Sequence, residues 1–255
     1  MTVRELYAFL NHKIPSSLSC EWDNDGLMCC PNESAPVRRV LVALDVTAAV
    51  AEEAIREGYD VILSHHPLIF RPLRALDPAD PVAKKVIRLL CAGVSVMSFH
   101  TRLDAVEGGV NDILTQAIGL SDVTAFGPEG EAIGRIGSLA SPISLSEFAA
   151  LVKRATGAEC VQMVDAGRLV SRVAVLGGSG SGDAEAARRA GADTYLSGEL
   201  KHDILMDAPE KGLNLVAAGH FYTEDHVCKR LCELVKEADP TIETAITNSN
   251  TVAFL

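Results

Sequence analysis

The sequence predicts an α/β fold of alternating strands and helices. The first sign is a continuous apolar run, Val40-Leu41-Val42-Ala43-Leu44, ending in Asp45. Unbroken apolarity of that length marks a strand buried on both faces, as in a parallel sheet. The second is that such runs are followed by segments with helix start and stop signals, which is the order of an α/β layered structure. The third is composition. The chain has 255 residues, 48% hydrophobic and 22% charged, suited to one large α/β domain or two lobes.

Taken in order, Thr2-Val3-Arg4-Glu5 fits a capping box, and a helix through about residue 10 follows. A loop then holds Cys20-Glu21-Trp22-Asp23-Asn24-Asp25-Gly26. It reads as an Asx-type turn, with the chain's single Trp serving either as a buried anchor or in binding. After the strand at 40–45, Thr47 caps a helix to Glu57 that Gly58 stops. Residues 61–63 form a strand that delivers His65 and His66. Residues 81–92 form a helix with proline in its first turn, 94–99 a strand that delivers His100, and 108–118 a helix.

A second cycle runs from Ile133. Strands are expected at 133–139, 160–164, 173–176, 194–196 and 213–217. Helices are expected at 145–155, capped by Ser144, at 183–190, and at 221–237 following His220. Residues 241–246 and 251–255 read as closing strands. Pro128-Glu129-Gly130 is the expected lobe boundary, giving lobes 1–128 and 129–255.

Charge and composition exclude several classes. Asp and Glu number 34 against 23 Lys and Arg, a net charge of −11, which disfavours duplex nucleic acid as a partner. No apolar stretch is long enough to span a bilayer, and the N-terminus lacks a signal-peptide apolar region. The seven cysteines are scattered without zinc-type spacing and read as reduced thiols of a cytoplasmic protein.

The chemistry concentrates in imidazoles and carboxylates. In open α/β sheets ligands sit beyond the carboxyl ends of strands, and His65, His66, His100 and His220 all fall there. Adjacent residues of an extended segment point to opposite sides, so His65 and His66 can serve two ions more easily than one. Glu224 lies four residues beyond His220, on the same face if a helix starts there. With Asp104 this is a mixed nitrogen and oxygen set suited to zinc, iron, manganese, cobalt or nickel. His12 and His226 read as structural. The glycine-rich Gly177-Gly178-Ser179-Gly180-Ser181-Gly182 lacks a Walker lysine and reads as a strand–helix turn. Glu199 and His202 follow another strand end, where they could move protons, orient a ligand, or simply begin an exposed helix.

Several motifs together carry a resemblance. They are Trp22-Asp23-Asn24-x-Gly26-Leu27, Ser64-His65-His66-Pro67-Leu68, His100-Thr101-x-Leu103-Asp104, Asp193-x-Tyr195-Leu196-x-Gly198-Glu199 and Gly219-His220-Phe221-x-x-Glu224. The chain resembles, nearly end to end, the Nif-three-like family, also called the GTP cyclohydrolase I type 2 family. The resemblance implies an α/β/α layered fold with two similar-sized lobes around a central metal cleft. The first lobe would supply His65, His66 and Asp104, and the second would return His220 and Glu224. It implies two divalent transition-metal ions on these five residues, with Glu224 bridging and His100 beside them as ligand or supporting group.

It further implies a homohexamer and a metal-dependent hydrolase acting on a nucleotide-like or other small substrate. Glu199 and His100 are then the candidates for proton transfer. The alternative is a non-enzymatic metal-binding, metal-handling or regulatory scaffold protein. Arg102 stands where the family usually has Asn, and is either an anion contact for substrate or directed to solvent.

Overall fold

A computed structural model describes residues 1–128 and 132–253. The chain divides into two compact units. The first comprises Met1–Leu103 with Val227–Thr251, and the second comprises Asp104–His226 with, among the described residues, 252–253.

In the first unit, α1 (Val3–Lys13) begins at the expected capping box, with the Thr2 side chain accepting from Glu5 N and Glu5 reaching back to Thr2 N. Strands β1 (Gly26–Cys29) and β2 (Arg39–Ala43) precede α2 (Ala48–Glu57), which Thr47 caps and Gly58 ends at φ 71°. Then come β3 (Val61–Ser64), α3 (Pro81–Cys91), β4 (Ser95–Ser98) and the short α4 (Thr101–Ala105), within which the two units divide. The unit is completed from the far end of the chain by α10 (Val227–Ala238) and β11 (Glu243–Ile246). Its sheet has the order β1-β4-β3-β2-β11. All pairs are parallel except β1 with β4.

Alternate residues of these strands face opposite layers. Leu41, Ala43, Ile62 and Val96 pack with Val50 and Ala54 of α2 and Val86 and Leu89 of α3. Val40, Val42, Val61 and Leu63 are equally buried on the other face, where α10 meets β2 and β11 and packs on α1.

The second unit holds α5 (Val110–Ala117), β5 (Ser121–Phe126), β6 (Gly134–Ile143), α6 (Leu145–Thr156), β7 (Gln162–Val164) and β8 (Val170–Ser179). It continues through α7 (Ala184–Arg189), β9 (Thr194–Glu199), α8 (His202–Asp207), β10 (Asn214–Ala217) and α9 (His220–Glu224). Its sheet order is β5-β6-β8-β9-β10-β7, with β8, β9 and β10 parallel. Ala174, Leu176, Tyr195 and Leu215 pack against the alanines of α7 and Leu205 of α8. Val173, Val175, Leu196 and Val216 pack against Leu114 of α5 and Phe148 and Val152 of α6. Each unit is thus a sheet covered by helices on both faces, the layering expected from the sequence.

Two expectations, one helix and one strand, are corrected, and the expected lobe boundary lies against residues outside the described ones. The boundary expected at Pro128-Glu129-Gly130 meets residues 129–131, which lie outside the described ones; the compact units divide at Leu103/Asp104 and again at His226/Val227. The C-terminal segment rejoins the first unit because β11 pairs in parallel with β2, Thr244 opposite Val40. The single helix expected at 221–237 is two, α9 and α10, broken at Asp225 and His226. The closing strand at 251–255 does not form over 251–253, and residues 254–255 lie outside the described residues.

Candidate metal-binding groups

In the first unit the parallel strands end on one edge. β3 delivers His65 and His66, β4 delivers His100, and β2 delivers Asp45. Because β1 runs antiparallel to β4, with Gly26 opposite Ser98, the loop entering β1 reaches the same edge with Asp23 and Asp25. Parallel pairing of β11 with β2 brings Ser249 there as well, where its hydroxyl accepts from Asp45 N at 3.1 Å.

The three imidazoles form a tight group. Ring centroids are 4.9 Å apart for His65 and His66, 5.3 Å for His65 and His100, and 5.7 Å for His66 and His100. One nitrogen of each lies within 4.8 Å of the others. The Nδ1 atoms are each held by an oxygen that can only accept. His65 Nδ1 donates to Phe99 O at 2.9 Å, His66 Nδ1 to Asp45 Oδ1 at 2.7 Å, and His100 Nδ1 to Asp23 Oδ1 at 2.8 Å. In the neutral ring this tautomer carries its lone pair on Nε2, which is how metal-binding histidines are oriented.

Asp23 has its other oxygen occupied by Thr101, through N at 3.0 Å and Oγ1 at 2.6 Å. Burial pushes its carboxyl up, but the hydrogen bonds from His100 and Thr101 and the charge of His100 outweigh this. Its pKa is held well below the ordinary carboxylate range.

Arg102 is not available to a substrate. It is fully buried, with Nε on Asp25 Oδ2 at 2.9 Å and Nη1 on Asn11 Oδ1 at 2.7 Å and Ile14 O at 3.1 Å. Its guanidinium also stacks 4.4 Å from the Phe99 ring centre. Both expectations for Arg102, an anion contact and a solvent-directed side chain, are corrected. Its charge compensates Asp25, which in turn accepts from His100 N at 3.1 Å.

In the second unit, the carboxyl ends of β8, β9 and β10 present the glycine turn, Glu199 and His220. His220 Nε2 is 3.1 Å from Glu224 Oε2, and its Nδ1 is 3.4 Å from Glu199 Oε1. The one-turn spacing of His220 and Glu224 on α9 places them on one face, as expected. Asp104 and Glu224 are both buried, with an oxygen of each within 4.8 Å of the other. Two carboxylates so close and so dry favour a cation between them.

The turn after β8 is shaped around Glu224. Gly178 has φ 66°, and a Cβ there would collide with Glu224 Oε1 and lie 3.0 Å from Glu224 Cδ and His220 Nε2. Gly178 N donates to Thr223 Oγ1 at 3.0 Å, and Gly177 N donates to Asn111 Oδ1 at 2.8 Å. Asn111 also donates to the Asp104 carbonyl at 3.3 Å. The glycine run is therefore the seat of a carboxylate rather than a phosphate loop. His202 is exposed at the start of α8.

The comparison with known sequences is decisive at this point, because the sequence model of Duf34/NIF3 (NGG1p interacting factor 3) matches residues 1–252. The chain belongs to the Duf34/NIF3 family. A protein of Nostoc sp. named "GTP cyclohydrolase 1 type 2 homolog" is 37% identical over 203 residues, covering 78% of this chain and 77% of its own. A "Protein NIF3 homolog" of Schizosaccharomyces pombe is 35% identical over 234 residues, covering 84% and 83%. Among solved structures, Staphylococcus aureus protein SA1388 superposes with TM-score 0.87 at 26% identity over 100% of this chain and 99% of that one. Reduced HcgD from Methanocaldococcus jannaschii gives 0.83 at 27% identity over 96% and 97%. The family and the mixed α/β architecture read from the sequence are those found.

Sequence reasoning does not assign Asp23, Asp25 and Asp45 as supports of the imidazole groups. Asp45 carried a signal, being the polar residue that ends a buried strand. Asp23 and Asp25 lie in the Trp22-Asp23-Asn24-Asp25-Gly26 turn that the sequence marks, but nothing in it assigns them to His100 and Arg102, because β1 is only four residues long. Among the described residues no helix is long and apolar enough to cross a membrane.

Proposed function

We propose that this protein binds two divalent transition-metal ions through His65, His66, Asp104, His220 and Glu224, with His100 as a further ligand or supporting group. We take it to be a metal-dependent hydrolase acting on a nucleotide-like or other small substrate. The observation that carries the reading is the common orientation of three imidazoles, each with Nδ1 fixed by an oxygen acceptor. A histidine cluster serving only to fill a core has no need of such uniform tautomers. The donor set of imidazole and carboxylate suits zinc, iron, manganese, cobalt or nickel.

Bound divalent ions would supply Lewis acidity and lower the pKa of water. The protein's own groups would do the rest. Glu199, mostly exposed and 3.4 Å from His220 Nδ1, can accept or return a proton at its carboxylate. His100, steadied by Asp23, can do so at Nε2. The names of several relatives favour GTP as the first substrate to try. The homohexamer implied by the family resemblance is part of this reading, and light scattering measures it.

The test is metal analysis followed by mass-spectrometric product analysis. Protein loaded with one known metal would be incubated with GTP and other nucleotides, with Glu224→Gln as control. Two ions per chain and product lost in the variant support the hydrolase. Two ions and no product with any nucleotide shift the reading to metal handling. A protein that retains no divalent ion on dialysis refutes the proposal itself.

A further inference from the structure

The only tryptophan in the chain is not buried. Trp22 is 59% exposed, and Phe70, from the loop after β3, is 45% exposed. A folding chain gains by covering rings of this size, and two left open side by side call for a binding role. Their arrangement is specific. Trp22 and Phe70 have centroids 6.2 Å apart with planes at 73°, Trp22 and His100 6.2 Å at 77°, and Phe70 and His100 6.0 Å at 88°. The three rings stand nearly perpendicular to one another, like the walls of a corner.

The walls are tied in place. Asn24, two residues from Trp22, donates from Nδ2 to Ile69 O, the carbonyl next to Phe70. Asp23, adjacent to Trp22, holds the His100 ring. The loop before β1 and the loop after β3 are thus pinned together, and both to the third wall. These ties limit how far the rings can turn, so the corner is formed before anything enters it.

We propose that Trp22 and Phe70, with His100 as the third wall, form a stacking site for a flat nitrogen heterocycle of nucleobase type. This deepens the functional reading above and rests on it, in that the ring would present its edge to the imidazole group. A flat ring placed on one wall meets the other two edge-on, the arrangement aromatic quadrupoles favour. An aliphatic ligand would cover the same area without using the perpendicular walls. Ring nitrogens and carbonyls at the edge would face His66 and His100, which are both partly open to solvent. A second copy of the chain seated here would close off that opening, which a small ring does not.

The sole tryptophan makes the test direct, since all tryptophan fluorescence comes from this wall. Metal-loaded and chelator-treated protein would be titrated with guanosine 5′-monophosphate and, separately, with ribose 5-phosphate. Free N-acetyltryptophanamide serves as the control for collisional quenching. Saturable quenching by the nucleotide alone is expected, and Phe70→Ala should weaken it by about fivefold or more, the lower end of base–aromatic stacking. Equilibrium dialysis with Trp22→Phe and Trp22→Ala checks the same site without the fluorophore, the Phe variant binding more tightly.

Absence of saturable quenching, equal quenching by ribose 5-phosphate, or indifference to Phe70→Ala overturns the proposal. Emission that shifts with protein concentration before any ligand is added also overturns it, because a second copy then covers the corner. Quenching by a protein that retains no divalent ion after loading and dialysis leaves this inference standing while the metal reading fails. Metal binding without quenching does the reverse.

Discussion

Arg102 gives the sharpest test of how the histidine edge is built. The substitution Arg102→Met keeps the length of the side chain and removes its charge and donors. Three hydrogen bonds are lost, to Asp25 Oδ2, Asn11 Oδ1 and Ile14 O, and Asp25 is left almost without solvent. Removing one member of a buried ion pair costs about 3–5 kcal/mol, because the remaining charge stays uncompensated. For a chain of this size each kcal/mol lowers Tm by roughly 2–4 °C, so a fall on the order of 10 °C is expected. The assay is thermal and urea unfolding of the metal-free protein, so that metal binding does not mask the change.

Asp25→Asn in the same background should recover part of the loss. The two single substitutions and the double should show a coupling of at least about 1 kcal/mol. If Arg102→Met instead unfolds within about 2 °C of the parent and loses nucleotide binding, the residue contacts ligand and the structural assignment is refuted.

The remaining predictions concern the metal groups and the thiols. Gly178→Ala combines a left-handed φ, costing about 1–2 kcal/mol, with a collision at Glu224, so both stability and metal affinity should fall. Gly182→Ala, which meets nothing within 4 Å, should leave both unchanged, and chelator competition compares them. Asp45→Asn keeps an acceptor for His66 Nδ1 but loses the charge, and should weaken metal binding by roughly 10–100-fold, measured by calorimetry with the same metal. Burial pushes the Cys29 thiol up to about 11, so at pH 8 it should resist alkylation while exposed Cys91 and Cys160 react, as peptide mapping would show. Labelling of Cys29 as fast as Cys91 would contradict the burial.

The elements that sequence alone exposed are those with local punctuation. The capping boxes at Thr2 and Ser144, the Thr47 cap and the Gly58 stop fix helix ends within a residue or so. The runs at 40–45, 61–63 and 213–217 are strands because both faces are covered, which forces apolarity without alternation. β1 escaped because four residues buried only at the two ends have no such pattern, and β5 because its first five residues are exposed. The membership of the two compact units is illegible for a different reason. Whether α10 and β11 join the first or second unit depends on long-range pairing with β2, and nothing within residues 227–246 encodes that choice locally.

The same distinction separates the legible donors from the illegible supports. His65, His66, His100 and His220 are readable because a polar residue directly after a buried strand is unusual, and four of them end such runs. Asp23, a motif residue, and Arg102, at a variable position of another motif, are both charged, and neither position says in sequence which partner it meets. The fold gives them opposite neighbours. Asp23 accepts from an imidazole N–H and fixes a tautomer, whereas Arg102 faces inward and neutralises Asp25. Only the antiparallel pairing of β1 with β4 brings Asp23 and Asp25 to the His100 edge at all. The supports of the candidate centre therefore follow from the register of one short edge strand. A change that shifted that register, such as proline at Leu27 of β1, opposite Met97, should disturb His100 and Asp23 together while leaving the His220–Glu224 pair of the second unit in place.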